Sequence, residues 1–180
     1  MRKITIIILT IISFNGLFAQ QKNIVTLRHE AEEGIAASQY ELGMKYFEND
    51  NLLDVGAEWI EKSANQGYID AEHFLGILYR AGKGVTQDNE KAIYWLEKAA
   101  TKGKSSAQKD LGSLCLMINK DTEAELWLRK AAIQNEKDAL FLMGFLYESG
   151  RGVNKDLEEA KKWFKKACDA GNEKGCEKLN

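Results

Sequence analysis

Two stretches decide the fold: residues 71–103, AEHFLGILYRAGKGVTQDNEKAIYWLEKAATKG, and residues 139–171, ALFLMGFLYESGRGVNKDLEEAKKWFKKACDAG. They agree at nearly every apolar, small and glycine position. A shorter copy of the pattern precedes each of them, so that the four tryptophans recur at spacings of 36, 32 and 36 residues: Trp59, Trp95, Trp127 and Trp163. Self-similarity at such a period is typical of repeat architectures, and the chain is predicted to be an array of small units.

Each unit is predicted to contain two helices. Apolar and small residues recur at helical spacing before and after a central loop, in residues 71–79 and 92–99 of the most complete unit. Asp88 and Asp156 stand where an N-cap of the second helix is needed. Gly103 stands where that helix should end. The predicted fold class is all-α.

A glycine recurs inside the first helix of every unit, at positions 43, 76, 112 and 144. Glycine inside a helix costs roughly 1 kcal/mol relative to alanine. The recurrence predicts that a neighbouring backbone approaches too closely for a Cβ atom. Gly56 does not fall at this position, and the repeat pattern gives no reason for a glycine there.

The first 19 residues are typical of a secretory signal peptide. Arg2 and Lys3 precede an apolar stretch of about 15 residues that ends near Ala19, where cleavage is predicted. An uncleaved membrane anchor is the alternative, although a span normally needs about 20 apolar residues. The mature chain is expected to be exported to the periplasm or secreted from a bacterium, and not to span a membrane.

The mature chain is predicted to begin and end on half-units. Residues 20–33 align with a second helix and are expected to cap the array. The four repeats are 34–67, 68–103, 104–135 and 136–171. Residues 172–180 restart a first helix, with Gly175 in the small position and Leu179 in the buried Leu position.

Composition excludes several classes of protein. The chain has 180 residues, 15 Gly, no Pro and a formal net charge of −2, which becomes −4 once Arg2 and Lys3 are removed. Nucleic-acid-binding proteins normally carry a basic excess, so nucleic acid is not an expected partner. Three Cys are too few for a disulfide-dense scaffold.

The repeat pattern resembles the Sel-one-like repeat, a relative of the tetratricopeptide repeat. The resemblance rests on the pattern A-x3-L-G-x2-Y-x2-G-x-G-V-x2-D-x2-K-A-x2-W-L-x-K-A-A-x2-G and covers nearly all of residues 34–180. It implies a right-handed superhelix of antiparallel helix pairs, an α-solenoid. It also implies an adaptor that binds other proteins without catalysis. Repeats one and three lack the Gly-x-Gly-Val loop.

Cys168 and Cys176 are predicted to form a disulfide. They lie eight residues apart across the turn at Gly171, on helices that should pack antiparallel, within the Cα separation that a bridge requires. The pair also resembles the bridge of the cysteine-rich bacterial members of the family. Two free thiols are the alternative. Cys115 occupies a position that is Tyr in the other units, and is expected to be a buried free thiol.

No catalytic or metal site is predicted. His29 and His73 have no further His or Cys pair near them at the spacing of a metal site, and both are expected to be surface histidines. No cofactor is expected. Ser106 and Lys109 match S-x-x-K, which makes a penicillin-binding or β-lactamase-like hydrolase the alternative function. Seven Ser and 20 Lys make about one such match expected by chance, and neither S-D-N nor K-T-G follows.

One face of the first helices changes from unit to unit, and we call it the variable stripe. It falls two, six and nine residues after the small position and consists of Tyr40, Met44, Phe47, His73, Ile77, Arg80, Lys109, Ser113, Leu116, Phe141, Phe145 and Glu148. First helices commonly line the concave face of such superhelices. The stripe is therefore a candidate surface for a protein or peptide partner of a monomeric scaffold. The alternative is that several members, notably Met44 and Phe145, fill the core between units.

Overall fold

The structure is a computed structural model that describes residues 24–49 and 52–179. The predicted signal peptide and residues 20–23 lie outside the described residues. Regular structure in the described ranges is entirely helical. The helices are α1 (Ile24–Glu32), α2 (Ala36–Tyr46), α3 (Leu53–Asn65), α4 (Ile69–Ala81), α5 (Asn89–Thr101), α6 (Ser105–Met117), α7 (Asp121–Ile133), α8 (Lys137–Ser149), α9 (Leu157–Asp169) and α10 (Glu173–Glu177).

The helices form an α-solenoid. Each helix packs on the one before it and the one after it, and α4 also contacts α6, the first helix of the next repeat. The molecule is an all-α solenoid of successive helix pairs, which confirms the predicted fold class. Helix α1 lies within the range predicted for the N-terminal cap.

The repeated positions build the core. The small and Leu-type positions of the first helices are almost completely buried in all four repeats: Ser38, Leu42, Ala71, Leu75, Ala107, Leu111, Ala139 and Met143. Both predicted caps are present, since Asp88 accepts hydrogen bonds from the backbone of Glu90 and Lys91 at 3.0 Å, and Asp156 caps α9 in the same way. The C-terminal cap departs from the pattern, because Leu179, which follows α10, is 44% exposed and not buried as predicted.

The glycines inside the first helices meet the second helix of their own repeat, although the prediction of a close backbone is only partly right. A Cβ on Gly76 would lie 2.7 Å from Leu96 Cγ and 3.1 Å from its backbone nitrogen. Backbone comes closest in repeat one, whereas the three nearest atoms at Gly144 all belong to the Phe164 side chain. A Cβ on Gly43 would lie 2.9 Å from the carbonyl oxygen of Gly56, which gives Gly56 a role that the repeat pattern does not reveal.

The long loops of repeats two and four dock on the preceding repeat. A Cβ on Gly84 would collide with the carbonyl of Leu53, the first residue of α3, and a Cβ on Gly152 with that of Asp121, the first residue of α7. Arg151 holds the second of these contacts, because its guanidinium donates to the Asp121 carboxylate and to the Leu116 carbonyl oxygen. Each long loop therefore covers the start of a second helix in a repeat with a short loop.

In repeats one, two and three, the residue after the small position is polar and takes part in a contact with the preceding unit, whereas repeat four has Leu140 there. In repeat three, Gln108 donates to the Ala100 carbonyl at 3.0 Å and accepts from Gln134 at 2.9 Å. The first repeat makes the same contacts through its own two glutamines. Repeat two has Glu72 and Lys102 instead, 2.7 Å apart. Glu72 is fully buried, and its Oε2 atom has no hydrogen-bond partner.

We expect the double substitution Glu72→Gln/Lys102→Gln to stabilise the protein. A glutamine at 72 can donate to the Ala64 carbonyl, which is the equivalent of the Ala100 carbonyl, and an unsatisfied buried oxygen costs about 1–3 kcal/mol. The free energy of unfolding in urea should rise by about 1 kcal/mol. The control is Glu90→Gln, which removes an exposed carboxylate from α5. A double variant that is no more stable than this control would contradict the expectation.

Candidate binding surface

The variable stripe lies on α2, α4, α6 and α8, apart from Phe47, which directly follows α2. Every member is half-buried. This intermediate exposure distinguishes the stripe from the adjacent core positions, which are closed to solvent. The helices present the stripe as a series of separate groups, one at each junction between repeats.

An aromatic group stands at the junction of repeats one and two. The Tyr40 ring lies 5.4 Å from that of Tyr68 and 6.5 Å from that of Phe74, centroid to centroid. Phe47 meets Phe74 edge to face at 5.4 Å. Burial, and then the carboxylate of Asp70, raise the pKa of Tyr40, so its hydroxyl stays protonated and can donate a hydrogen bond. The sequence pattern did not identify Tyr68 and Phe74, because they occupy other positions of the repeat.

A charged group stands at the junction of repeats two and three, where three cationic or polar side chains of the stripe converge on Asp110. His73 Nε2 lies 2.7 Å from Asp110 Oδ2, and Lys109 Nζ donates to Asp110 Oδ1 at 2.7 Å. The Arg80 guanidinium lies 3.9 Å from the same oxygen. The expectation that His73 is a surface histidine is therefore wrong, since its side chain is only 14% exposed and is paired across the junction. His29 is exposed, as expected.

Asp110 is buried, and its charge is maintained by its partners. Burial alone would raise the pKa of this carboxyl, but hydrogen bonds from His73 and Lys109 outweigh that effect and hold the pKa below its usual value. Asp110 is therefore a carboxylate at neutral pH. The repeat pattern gave no signal for this residue, because it lies one position away from the stripe.

An open depression of about 600 Å³ lies at the junction of repeats three and four and the C-terminal cap. Its lining includes Lys109, Ser113 and Phe141 of the stripe, together with Lys137, Asp138, Leu142 and residues 171–174. Phe141 also packs on Phe164, with ring centroids 5.5 Å apart. At the far end, Glu148 pairs with Lys178 at 2.8 Å. The cap thus contributes to the last part of the stripe.

The two residues of the S-x-x-K match lie on α6. Ser106 is the second residue of α6, and the ammonium group of Lys109 is hydrogen-bonded to Asp110. Among residues 24–49 and 52–179, no group of three or more His, Cys, Asp and Glu side chains is arranged to hold a metal ion. None of the helices described here is both long and apolar enough to cross a membrane.

The three cysteines form one disulfide and one free thiol, as predicted. Cys168 and Cys176 form a disulfide with a Cα–Cα distance of 4.7 Å, which ties α9 to α10. Cys115 is a buried free thiol. Burial, and then the carboxylate of Glu123, raise the pKa of Cys115, so little of the reactive thiolate is present at neutral pH.

Comparison with known proteins identifies similar chains in fungi and bacteria. The chain is 34% identical over 157 residues to the chitin synthase regulator SKT5 of Saccharomyces cerevisiae, a match that covers 79% of this chain and 22% of SKT5. It therefore spans about a fifth of that relative's length.

Two solved structures share the fold. A protective antigen of uropathogenic Escherichia coli, c5321, is 36% identical with a TM-score of 0.81, over 88% of this chain and 36% of the antigen. A Sel1 repeat protein from Oxalobacter formigenes is 25% identical with a TM-score of 0.73, over 81% of this chain and 62% of that one.

The family model of the Sel1 repeat, the family of Sel-one-like repeats, matches residues 36–68, 69–104, 105–136 and 137–172. Each matched unit begins one or two residues after the start expected from the sequence pattern. The four matches cover most of the chain, and together with the solenoid described above they establish that this protein belongs to the Sel1 repeat family.

Proposed function

We propose that this protein is an exported, non-catalytic adaptor that binds an extended segment of a protein or peptide partner along the variable stripe, on the concave face of the superhelix. One observation carries the proposal. The stripe is half-exposed and changes from aromatic to charged to aromatic along the array, while the core positions beside it repeat and are buried. A regular frame with a changing surface is suited to recognising successive side chains of an extended ligand.

The family supports a binding role. Sel1 repeat proteins generally act as scaffolds for protein interactions. The yeast relative is named as a regulator of chitin synthase, and not as the synthase itself. For this chain, the arrangement around Lys109 also supports binding over hydrolysis, since that ammonium group is hydrogen-bonded to a carboxylate.

Export is part of the proposal and rests on the N-terminal sequence. A basic start, an apolar stretch and a small residue at position 19 favour cleavage after Ala19. The disulfide between Cys168 and Cys176 supports this location, because disulfides persist in oxidising compartments. N-terminal sequencing of the protein from a fractionated bacterial culture tests it. An intact Met1 in the cytoplasmic fraction would contradict export.

We expect a photo-crosslinking amino acid at Ile77 or Phe145 to capture one discrete partner species in intact cells, because both positions face the proposed ligand. Phe141→Ala should lower the yield of that species about tenfold, since a large aromatic contact is lost. The yield is measured by mass spectrometry against an isotopically labelled standard. Thermal unfolding of each purified variant establishes that it is folded.

The control position is Tyr94, which is 55% exposed and lies on α5, a second helix outside the stripe. The crosslinker placed there should not capture the same species, and Tyr94→Ala should leave its yield unchanged. Equal capture from Tyr94 and from the stripe would contradict binding along the stripe. No change in yield on Phe141→Ala would do the same.

A further inference from the structure

The charged group at the junction of repeats two and three has more positive than negative charge. Arg80 and Lys109 carry two full positive charges, His73 can add a third, and Asp110 supplies one negative charge. The chain as a whole is acidic, with a net charge of −2. A local cationic surplus on an acidic protein is therefore concentrated on the variable stripe, where it attracts anions.

Asp110 holds these side chains in place without neutralising them. Its carboxylate is hydrogen-bonded to His73 and Lys109. Because Asp110 is buried, it contacts these side chains from the core side. Arg80 Nη1 lies 3.9 Å from Asp110, beyond hydrogen-bond distance, so this contact leaves the donors of the guanidinium available. The arrangement resembles a prepared anion site, in which a fixed carboxylate orients cations toward an incoming group.

The cationic side chains are partly withdrawn from water. The exposed fraction of the side chain is 14% for His73, 29% for Arg80 and 23% for Lys109. An ion pair in such a setting is screened less than one on an open surface. Hydrogen bonds between a guanidinium or ammonium group and a carboxylate are also among the stronger ones in proteins.

The position of the charged group in the array indicates which kind of carboxylate it fits. Aromatic residues of the stripe continue on both sides, around Tyr40 toward the N-terminus and around Phe141 toward the C-terminus. A ligand that contacts both must pass through the junction rather than end there. An acidic side chain within the ligand, and not its terminal carboxylate, satisfies this condition.

We propose that His73, Arg80 and Lys109 recognise the carboxylate of an Asp or Glu side chain within an extended peptide, in which apolar residues flank the acidic one on both sides. This inference rests on the proposed peptide-binding function. The depression beyond Lys109 adds no net charge, since its lining brings Lys137 and Lys174 together with two carboxylates, and the cationic surplus is confined to the junction of repeats two and three. The two acidic members of the lining are Asp138 and Glu173, of which Asp138 accepts a hydrogen bond from Asn172 at 2.8 Å.

The test begins with a displayed library of random 12-residue peptides selected against the purified mature protein. We expect the bound peptides to be enriched in Asp or Glu at one internal position. Replacing that residue by Asn or Gln in a synthetic peptide should weaken binding about tenfold in fluorescence anisotropy. Extending the peptide at its C-terminus should leave the affinity unchanged.

Protein variants locate the contact. Arg80→Gln should weaken binding of the acidic peptide about tenfold and leave binding of its Asn or Gln version unchanged. Lys109→Gln gives a second measurement should the first variant prove unstable. Lys161→Gln, which removes an exposed cation paired with Glu158 on α9 and outside the stripe, is the matched control and should have little effect on either peptide.

The outcomes separate this inference from the function on which it rests. Peptides that bind with no acidic preference but lose affinity on Phe141→Ala would overturn the inference and leave the proposed function standing. If C-terminal extension of the peptide abolishes binding, the group recognised is the terminal carboxylate and not an internal side chain. That outcome would overturn the inference. A library that yields no binders would overturn both.

Discussion

Gly152→Ala is expected to lower the free energy of unfolding by about 3 kcal/mol. Two effects add at this position. The backbone has φ +69°, a left-handed conformation that costs an L-residue about 1 kcal/mol or more. The new methyl group would also lie only 2.8 Å from the carbonyl carbon of Asp121, and overpacking costs a further 1–3 kcal/mol or so.

The matched control is Gly171→Ala in the same repeat. Gly171 has φ +85°, but a Cβ there would meet no heavy atom within 4 Å. It therefore measures the conformational cost alone, about 1 kcal/mol. Urea unfolding followed by tryptophan fluorescence measures the stability of both variants, because Trp127 lies on α7 and Trp163 on α9, the helix that follows the loop. If the two variants lose equal stability, the loop of repeat four does not pack on α7 as described.

The helices and caps could be predicted because they depend on residues close together in the sequence. Asp88 needs only the amides two and three residues later to act as an N-cap. A glycine at the end of a second helix likewise acts through its own dihedral angles. Such features repeat with the period of the tryptophans, so comparing the units was sufficient to find them.

The contacts between repeats could not be predicted in the same way. His73 and Asp110 are 37 residues apart, and whether they meet depends on how far each repeat is rotated against the next. No single residue records that rotation. The docking of Gly152 on Asp121 has the same origin, whereas the contact of Gly56 with Gly43 depends on how closely the two helices of repeat one pack. The composition of the stripe was therefore predictable, while the charged group within it depends on how repeats two and three pack together.

Loss of the disulfide is expected to destabilise the C-terminal cap by about 2.5 kcal/mol while leaving the four repeats folded. Cys168 and Cys176 are eight residues apart in the sequence. Closing a loop of that length is expected to stabilise the folded state by about 2.5 kcal/mol, because it lowers the entropy of the unfolded chain. Helix α10 spans only Glu173–Glu177, too short to be stable alone. Its other attachments include the packing of Gly175 on Ala167, the hydrogen bond from Asn172 to Asp138 and the ion pair of Lys178 with Glu148.

Hydrogen exchange measures the effect locally. In the double variant Cys168→Ser/Cys176→Ser, backbone amides of residues 175–179 should exchange much faster, while those of α4–α7 keep their protection, because the cap contacts only the end of the array. Treatment of the wild type with a dithiol reductant should reproduce the change and add nothing in the double variant, which separates the bridge from Cys115. Faster exchange throughout α8 and α9 would show instead that the bridge stabilises the whole of repeat four. Unchanged exchange in residues 175–179 would show that the remaining contacts are sufficient to hold the cap.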